Sequence, residues 1–383
     1  MEAPAPRVER LEALTGFRFL AALVVVLSHL GGPPGAPEPL RAFFASGYSG
    51  VTFFFVLSGF VITHNYAEHF RGGVHRQGLW SYAVARFSRV YPLYLLALVA
   101  VTLPMGWAEL SRADWWLHAL ALQAWHPDVG VAYAYNGPGW SISVEAFLYA
   151  CFPLVAWLLL PRLRTRLSLV CALVVVAAAM AALTLSFPIR DPISPLWGPD
   201  SAHRWLYRNP ASRLGDFLLG ALCARLLRSF DGPEDERLRL RLGRACLLVG
   251  AGASVGLMAW PAHFLTPASF DLSYALPAAA LVLGLALAPS TLAARVLASR
   301  ALVLLGEASY ALYLIHQKIL QRTFPVTSVP RLWWPLAGFV LLLCVGVAIG
   351  LHLLVERPAR GWLRRRLDRA RVKEAGGDGR PSP

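Results

Sequence analysis

Charge is scarce in this chain. Only 15% of its 383 residues are Asp, Glu, Lys or Arg, and 56% are apolar, against a soluble-domain norm of roughly 25% and 45–50%. That balance excludes a water-soluble globular domain, and a mean hydropathy of +0.51 points to a membrane protein. Cysteine is scarce too. Cys151, Cys171, Cys223, Cys246 and Cys344 all fall inside apolar runs, as buried thiols do, so no disulfide framework and no metal motif is visible. Lysine occurs only at Lys318 and Lys373 among 36 basic residues, a bias that carries no functional reading. No internal repeat of the kind common in transporters is found.

What the sequence has is long apolar runs. A spanning helix needs about 20 mostly apolar residues, and ten segments qualify: 14–31, 47–66, 90–108, 139–160, 167–187, 210–229, 242–261, 270–289, 300–321 and 332–355. These predict an all-α, polytopic membrane bundle. The first run contains Arg18 and lacks a small-residue cleavage site behind it, so it is expected to be a retained helix rather than a signal peptide. The net charge of +14 would elsewhere suggest nucleic acid. Here the arginines cluster between alternate apolar runs and after the last one, which sets orientation and predicts both termini inside, with no nucleic-acid partner. The stretch "DWWLHALALQAW" at 114–125 is expected to be a short re-entrant or interfacial helix, because an eleventh span would put Arg162, Arg164 and Arg166 outside. Residues 1–13 read as a cytoplasmic segment, 14–358 as the membrane domain, and 359–383 as a basic, partly disordered tail.

Ionisable groups inside spans cost about 2.5–3.5 kcal/mol each on insertion scales and normally face protein or a water-filled path. In "RFLAALVVVLSH", Arg18 and His29 are eleven residues apart, three turns plus roughly 20°, so they share one helix face about 16 Å apart. Arg86 and Arg89 in "ARFSRVYP" are neighbours on one side just ahead of the third span. Glu145, in "GPGWSISVEAFLYACFP", falls about two turns into the fourth span and needs a partner such as histidine or arginine. Arg213 and Asp216 in "SRLGDFLLG" and His316 in "GEASYALYLIH" are expected near the outer ends of their spans, as hydrogen-bonding or ion-pairing residues. Glu307 lies nearer the inside, able to pair with a basic residue. Ser58 and Gly59 read as packing residues, with Ser58 a secondary candidate for lining a cavity. Ser141 and Ser143, flanking the turn before Glu145, are supporting candidates.

These are the places where the chain resembles the integral membrane acyltransferases of acyltransferase family three. The resemblance runs from about residue 11 to 358. It rests on Arg18 with ten residues to His29, "SGVTFFFVLSGF" at 49–60, Arg86 and Arg89 before "YPLYLL", "WSISVEAFLY" at 140–149, "RLGDFLLG" at 213–220, "LGEASYALYLIH" at 305–316 and "VERP" at 355–358. Seven motifs in order make the match specific. The family implies acyl transfer from cytoplasmic acyl-coenzyme A, as co-substrate and not as a resident cofactor, to a hydroxyl of a carbohydrate or other acceptor at the cytoplasmic (inner) membrane. Single-domain relatives modify exopolysaccharide or acylate sugars of macrolide antibiotics. Others carry an esterase-like domain after the membrane body, for which this chain is too short.

With that resemblance, the charges acquire roles. Arg18, Arg86 and Arg89 would grip the donor's phosphates, and its thioester arm would cross toward His29. Histidine, with an unperturbed pKa near 6.5, can take a proton from an acceptor hydroxyl and return one to the thiolate. Glu145 would orient the imidazole, as the carboxylate does in a triad. Direct attack and an acyl-histidine intermediate both remain open. The rival reading is a transporter using His29, Glu145, Asp216 and His316 as a proton or substrate relay, which does not account for the paired arginines.

Overall fold

A computed structural model of the chain describes residues 11–187, 198–230, 232–323, 330–363 and 365–366. Among these residues every regular element is helical. The principal helices are α1 (Glu12–Leu30), α2 (Glu38–Ala45), α3 (Gly50–Tyr66), α4 (Arg76–Thr102), α5 (Ala113–Ala119), α6 (Val129–Ala132), α7 (Trp140–Leu154), α8 (Arg166–Leu185), α9 (Leu214–Arg228), α10 (Glu236–Ala259), α11 (Leu272–Leu287), α12 (Leu292–Leu297), α13 (Arg300–Thr323) and α14 (Pro330–Leu351). The first ten residues and the tail beyond 366, including its expected disorder, lie outside the described residues.

A helix stands at each of the ten expected spans, and among the described residues eight segments are long and apolar enough to cross a bilayer. The other two are α9 and α13. At 15 residues, α9 extends about 22 Å, short of the roughly 30 Å hydrocarbon core; α13 carries Arg300, Glu307, His316, Lys318 and Arg322 along its 24 residues. Both lie largely against other helices, so neighbouring side chains replace the lipid. The third span begins earlier than its hydropathy suggests, because α4 starts at Arg76 and runs 27 residues. Arg86 and Arg89 are therefore inside this helix, not ahead of it.

Local signals place several ends. Gly31, at φ +70°, stops α1, and Thr165 and Ser168 form a reciprocal cap that starts α8. Burial then sorts centre from rim. The segments holding α3 and α11 bury 72% and 78% of their most apolar window, whereas those of α8, α10 and α14 bury 17–22% and present side chains such as Leu248 and Leu342 outward. Such faces suit lipid.

Two glycines bring α3 and α9 into backbone contact. A Cβ on Gly59 would lie 1.9 Å from the Phe217 carbonyl oxygen, and one on Gly220 would lie 1.8 Å from that of Val56. Small residues of this kind let helices approach where no hydrophobic effect drives them together. The core divides into one large cluster around α3, α9 and α11 and another joining α1, α4, α13 and α14, with Phe54 and Tyr149 packed against both, beside a small third cluster of Leu98, Trp115, Ala119 and Tyr135. That seam is where the polar side chains collect.

The 107–139 segment folds inward. At seven residues α5 is too short to span, as the expectation of a re-entrant or interfacial helix requires. Tyr91 donates to the Ala119 carbonyl and Tyr94 to that of His118. Gln123 reaches both Tyr94 and the Gly139 carbonyl, at 3.0 and 2.6 Å. Asn136 donates to the Leu314 carbonyl at 3.1 Å. Irregular backbone packed against membrane helices is tolerated when protein groups satisfy it in this way.

Candidate functional site

Arg18 from α1, Ser58 from α3, Arg86 and Arg89 from α4, Glu145 and Tyr149 from α7 and Tyr310 from α13 line one cavity of about 60 Å³ at the seam. Four of the expected charged residues and one expected serine thus meet, though they come from four helices. Arg86 donates to the Tyr66 hydroxyl at 3.3 Å and stands over that ring at 5.0 Å, while its Nε is buried without a partner. Tyr149 donates to the Glu145 carboxylate at 3.0 Å. Three guanidiniums around one carboxylate leave an excess of positive charge, with the Nε of Arg86 buried without a partner, an arrangement suited to an anion with several oxygens.

The cavity continues. A second, smaller space of about 30 Å³ shares Arg18, Phe54, Glu145 and Tyr310 with the first and adds Phe55, Ser141, Ile142 and Tyr313. The Tyr313 ring lies 5.9 Å from that of His316, and the His316 ring lies 4.8 Å from that of His29, edge to face. Ring contacts thus lead from the smaller space to a histidine pair, on the side of α1 that bears both Arg18 and His29.

The two histidines differ in access. His29, in the last turn of α1, is exposed, and His316 is fully buried. Nδ1 of His29 faces the Val25 carbonyl at 2.9 Å; Nδ1 of His316 faces that of Tyr313 at 2.7 Å. A carbonyl only accepts, so each Nδ1 carries the proton and each Nε2 keeps its lone pair. Nε2 of His316 is buried without a partner.

This geometry corrects the expected pairing of Glu145 with His29. The carboxylate sits among Arg18, Arg86 and Arg89, and the group that orients His29 is the Val25 carbonyl of its own helix. α7 starts at the buried Trp140, and Glu145 and Tyr149, four residues apart on one side of it, both reach the cavity that the arginines line. Ser141 lines the upper space and donates to the Pro138 carbonyl at 3.0 Å, whereas Ser143 accepts from the Ala124 amide at 3.3 Å and supports the inward segment.

Arg213 and Asp216 lie outside the cavity and pair at 2.8 Å. The sequence reading missed their third member, Asp271, 2.9 Å from the same guanidinium nitrogen. All three are buried. No local spacing could reveal a contact between residues 58 positions apart. Also missed was Arg208, buried and donating to the carbonyls of His126 and Pro127, each at 2.6 Å. Beside it His203, 3.2 Å from the Tyr133 hydroxyl, has a pKa pushed down to about 3 by burial first and by Arg208 and Arg213 next. Glu307 has a basic neighbour in His352 at 3.6 Å, and His352 also contacts the buried Glu356 of the "VERP" stretch at 3.0 Å.

A helical bundle with eight segments, among the described residues, long and apolar enough to cross a bilayer and with a guanidinium cluster between its helices defines a multi-pass membrane protein. The acyltransferase domain family, acyltransferase family three, matches residues 11–353, and the chain belongs to it: it is a membrane acyltransferase. Among its relatives is acyltransferase MdmB of Streptomyces mycarofaciens, 29% identical over 94% of both chains. It is also 24% identical to the putative peptidoglycan O-acetyltransferase YrhL of Bacillus subtilis, over 91% of this chain and 55% of the relative. A third relative, O-acetyltransferase OatA of Staphylococcus aureus, is 24% identical over 81% of this chain and 50% of its own. The chain therefore spans about half the length of these two O-acetyltransferases. No solved structure matches it.

Proposed function

We propose that this acyltransferase moves a short acyl group, acetyl in the simplest case, from acyl-coenzyme A to a hydroxyl of a carbohydrate or glycoside acceptor at the cytoplasmic membrane. The observation that carries the reading is the cavity lined by Arg18, Arg86 and Arg89, its smaller neighbour lined by Tyr310 and Tyr313, and the ring contacts that lead from Tyr313 to His316 and His29. Phosphates of the donor would engage the guanidiniums, and the rise of about 16 Å from Arg18 to His29 suits a long thioester arm. Relatives named as O-acetyltransferases favour a hydroxyl acceptor.

In this mechanism the acceptor oxygen attacks the thioester carbonyl carbon. Its proton passes to Nε2 of His29, the C–O bond forms and the C–S bond breaks. The imidazolium then returns the proton to the departing thiolate, so the ring ends neutral. The Val25 carbonyl holds the ring with Nε2 free, and its hydrogen bond strengthens when the ring becomes charged. Glu145 offsets repulsion among the arginines.

The test is turnover of radiolabelled acetyl-coenzyme A by purified protein with and without glycoside acceptors, wild type beside His29→Ala. Histidine-dependent label transfer is expected. Full transfer by a normally folded His29→Ala variant would sink the base assignment, and absence of both binding and turnover in the wild type would remove the donor assignment.

A further inference from the structure

The donor cavity has an apolar neighbour. A groove of about 430 Å³ lies between α4 and α7, extending from Leu79 to Tyr91 on one side and from Ile142 to Pro153 on the other, about 17 Å by helical rise. Leu79, Phe87 and Leu120 on its walls are 41%, 47% and 61% exposed, so in a bilayer it opens toward hydrocarbon. It is separated from the donor path by single side chains. Arg86, Val90 and Tyr149 line both the groove and the arginine cavity, and Ile142 lines both the groove and the smaller space beside Ser141 and Tyr313.

The members of this wall are held unequally. Tyr149 is tied to Glu145 at 3.0 Å, and the Val90 backbone accepts from Tyr310 at 2.8 Å. Ile142 is 3% exposed and is held by packing alone, in the cluster with Leu93, Tyr94 and Ala121. It is also the member nearest the histidine end, where the thioester carbon must lie.

We propose that Ile142 sets the acyl length of the donor, and that the groove is a hydrocarbon-binding site for the tail of any longer acyl chain admitted past it. This rests on the acyl-transfer reading above. With Ile142 in place the upper space holds about 30 Å³, and added methylenes would have to overpack a core already at interior density. With it shortened, the tail passes into the groove, where it exchanges with lipid chains of like polarity. An acyl tail entering there leaves the carbonyl carbon facing the histidines, so transfer itself is unchanged in its bonds and protons.

The experiment compares acetyl-, butyryl- and octanoyl-coenzyme A as donors for the full chain in detergent or vesicles, in wild type, Ile142→Ala, Ile142→Val and Leu148→Ala. Leu148 is fully buried on the same helix but packs in the other core cluster. The expected result is an octanoyl-to-acetyl rate ratio about tenfold or more higher in Ile142→Ala than in wild type. Ile142→Val, the milder change, should raise the butyryl ratio, and Leu148→Ala should raise neither. An unchanged ratio in Ile142→Ala and Ile142→Val, an equal rise in Leu148→Ala, or octanoyl transfer by wild type as fast as acetyl would overturn the inference while leaving the enzyme reading intact. Wild-type protein that turns over none of the three donors overturns the acyl-transfer reading and this inference with it.

Discussion

Arg89 is the sharpest probe of the donor cavity. It lies three residues after Arg86 on the same side of α4 and lines the cavity opposite Glu145. Arg89→Ala removes a forked, permanently charged donor. A hydrogen bond to a charged group contributes about 1.5–3 kcal/mol, so the Kd for coenzyme A should rise roughly 10- to 150-fold. The loss should be partial, because Arg18 and Arg86 remain. Arg89→Lys keeps the charge but not the planar fork and should fall between wild type and alanine. The assay is calorimetric titration of purified protein with coenzyme A beside S-acetyl-pantetheine, which lacks the nucleotide phosphates. Added salt should weaken coenzyme A binding and leave pantetheine binding unchanged. A change in the coenzyme A Kd of less than about threefold, or an equal loss for the pantetheine thioester, would refute phosphate recognition at this cluster.

Arg213→Met should destabilise by about 3–5 kcal/mol, since it strands Asp216 and Asp271 as uncompensated buried charges; Asp271→Asn, which keeps a polar partner for the guanidinium, should cost less, and thermal unfolding in detergent measures both. Gly220→Ala must push α3 from α9, because its Cβ would meet the Val56 carbonyl at 1.8 Å, a cost of about 1–3 kcal/mol or more. Gly252→Ala, with open space around its Cβ, should be neutral or slightly stabilising in the same assay. Glu145→Gln should change KM for the acyl donor more than kcat, given its place among the arginines. A collapse of kcat at unchanged KM would restore the carboxylate to a role at His29.

By itself the sequence determined the helices, through apolar runs interrupted by arginine clusters, and the pairings within single helices. Arg18 and His29 share a face because eleven residues make nearly three whole turns, and Arg86 with Arg89, like Arg213 with Asp216, follows from a spacing of three. Tertiary structure decided everything between helices. It moved Glu145 to the arginines, set His316 against His29, supplied Asp271 as the second carboxylate for Arg213, and placed Ile142 between two cavities. Periodicity fixes rotation about one axis only. The relative depth and approach of two helices depend on backbone contacts such as Gly59 with Phe217 and on the inward fold of 107–139, which is held by bonds from α4, α13 and Arg208 to its backbone or from its side chains to theirs. Those partners are distant in sequence, and no local pattern records them.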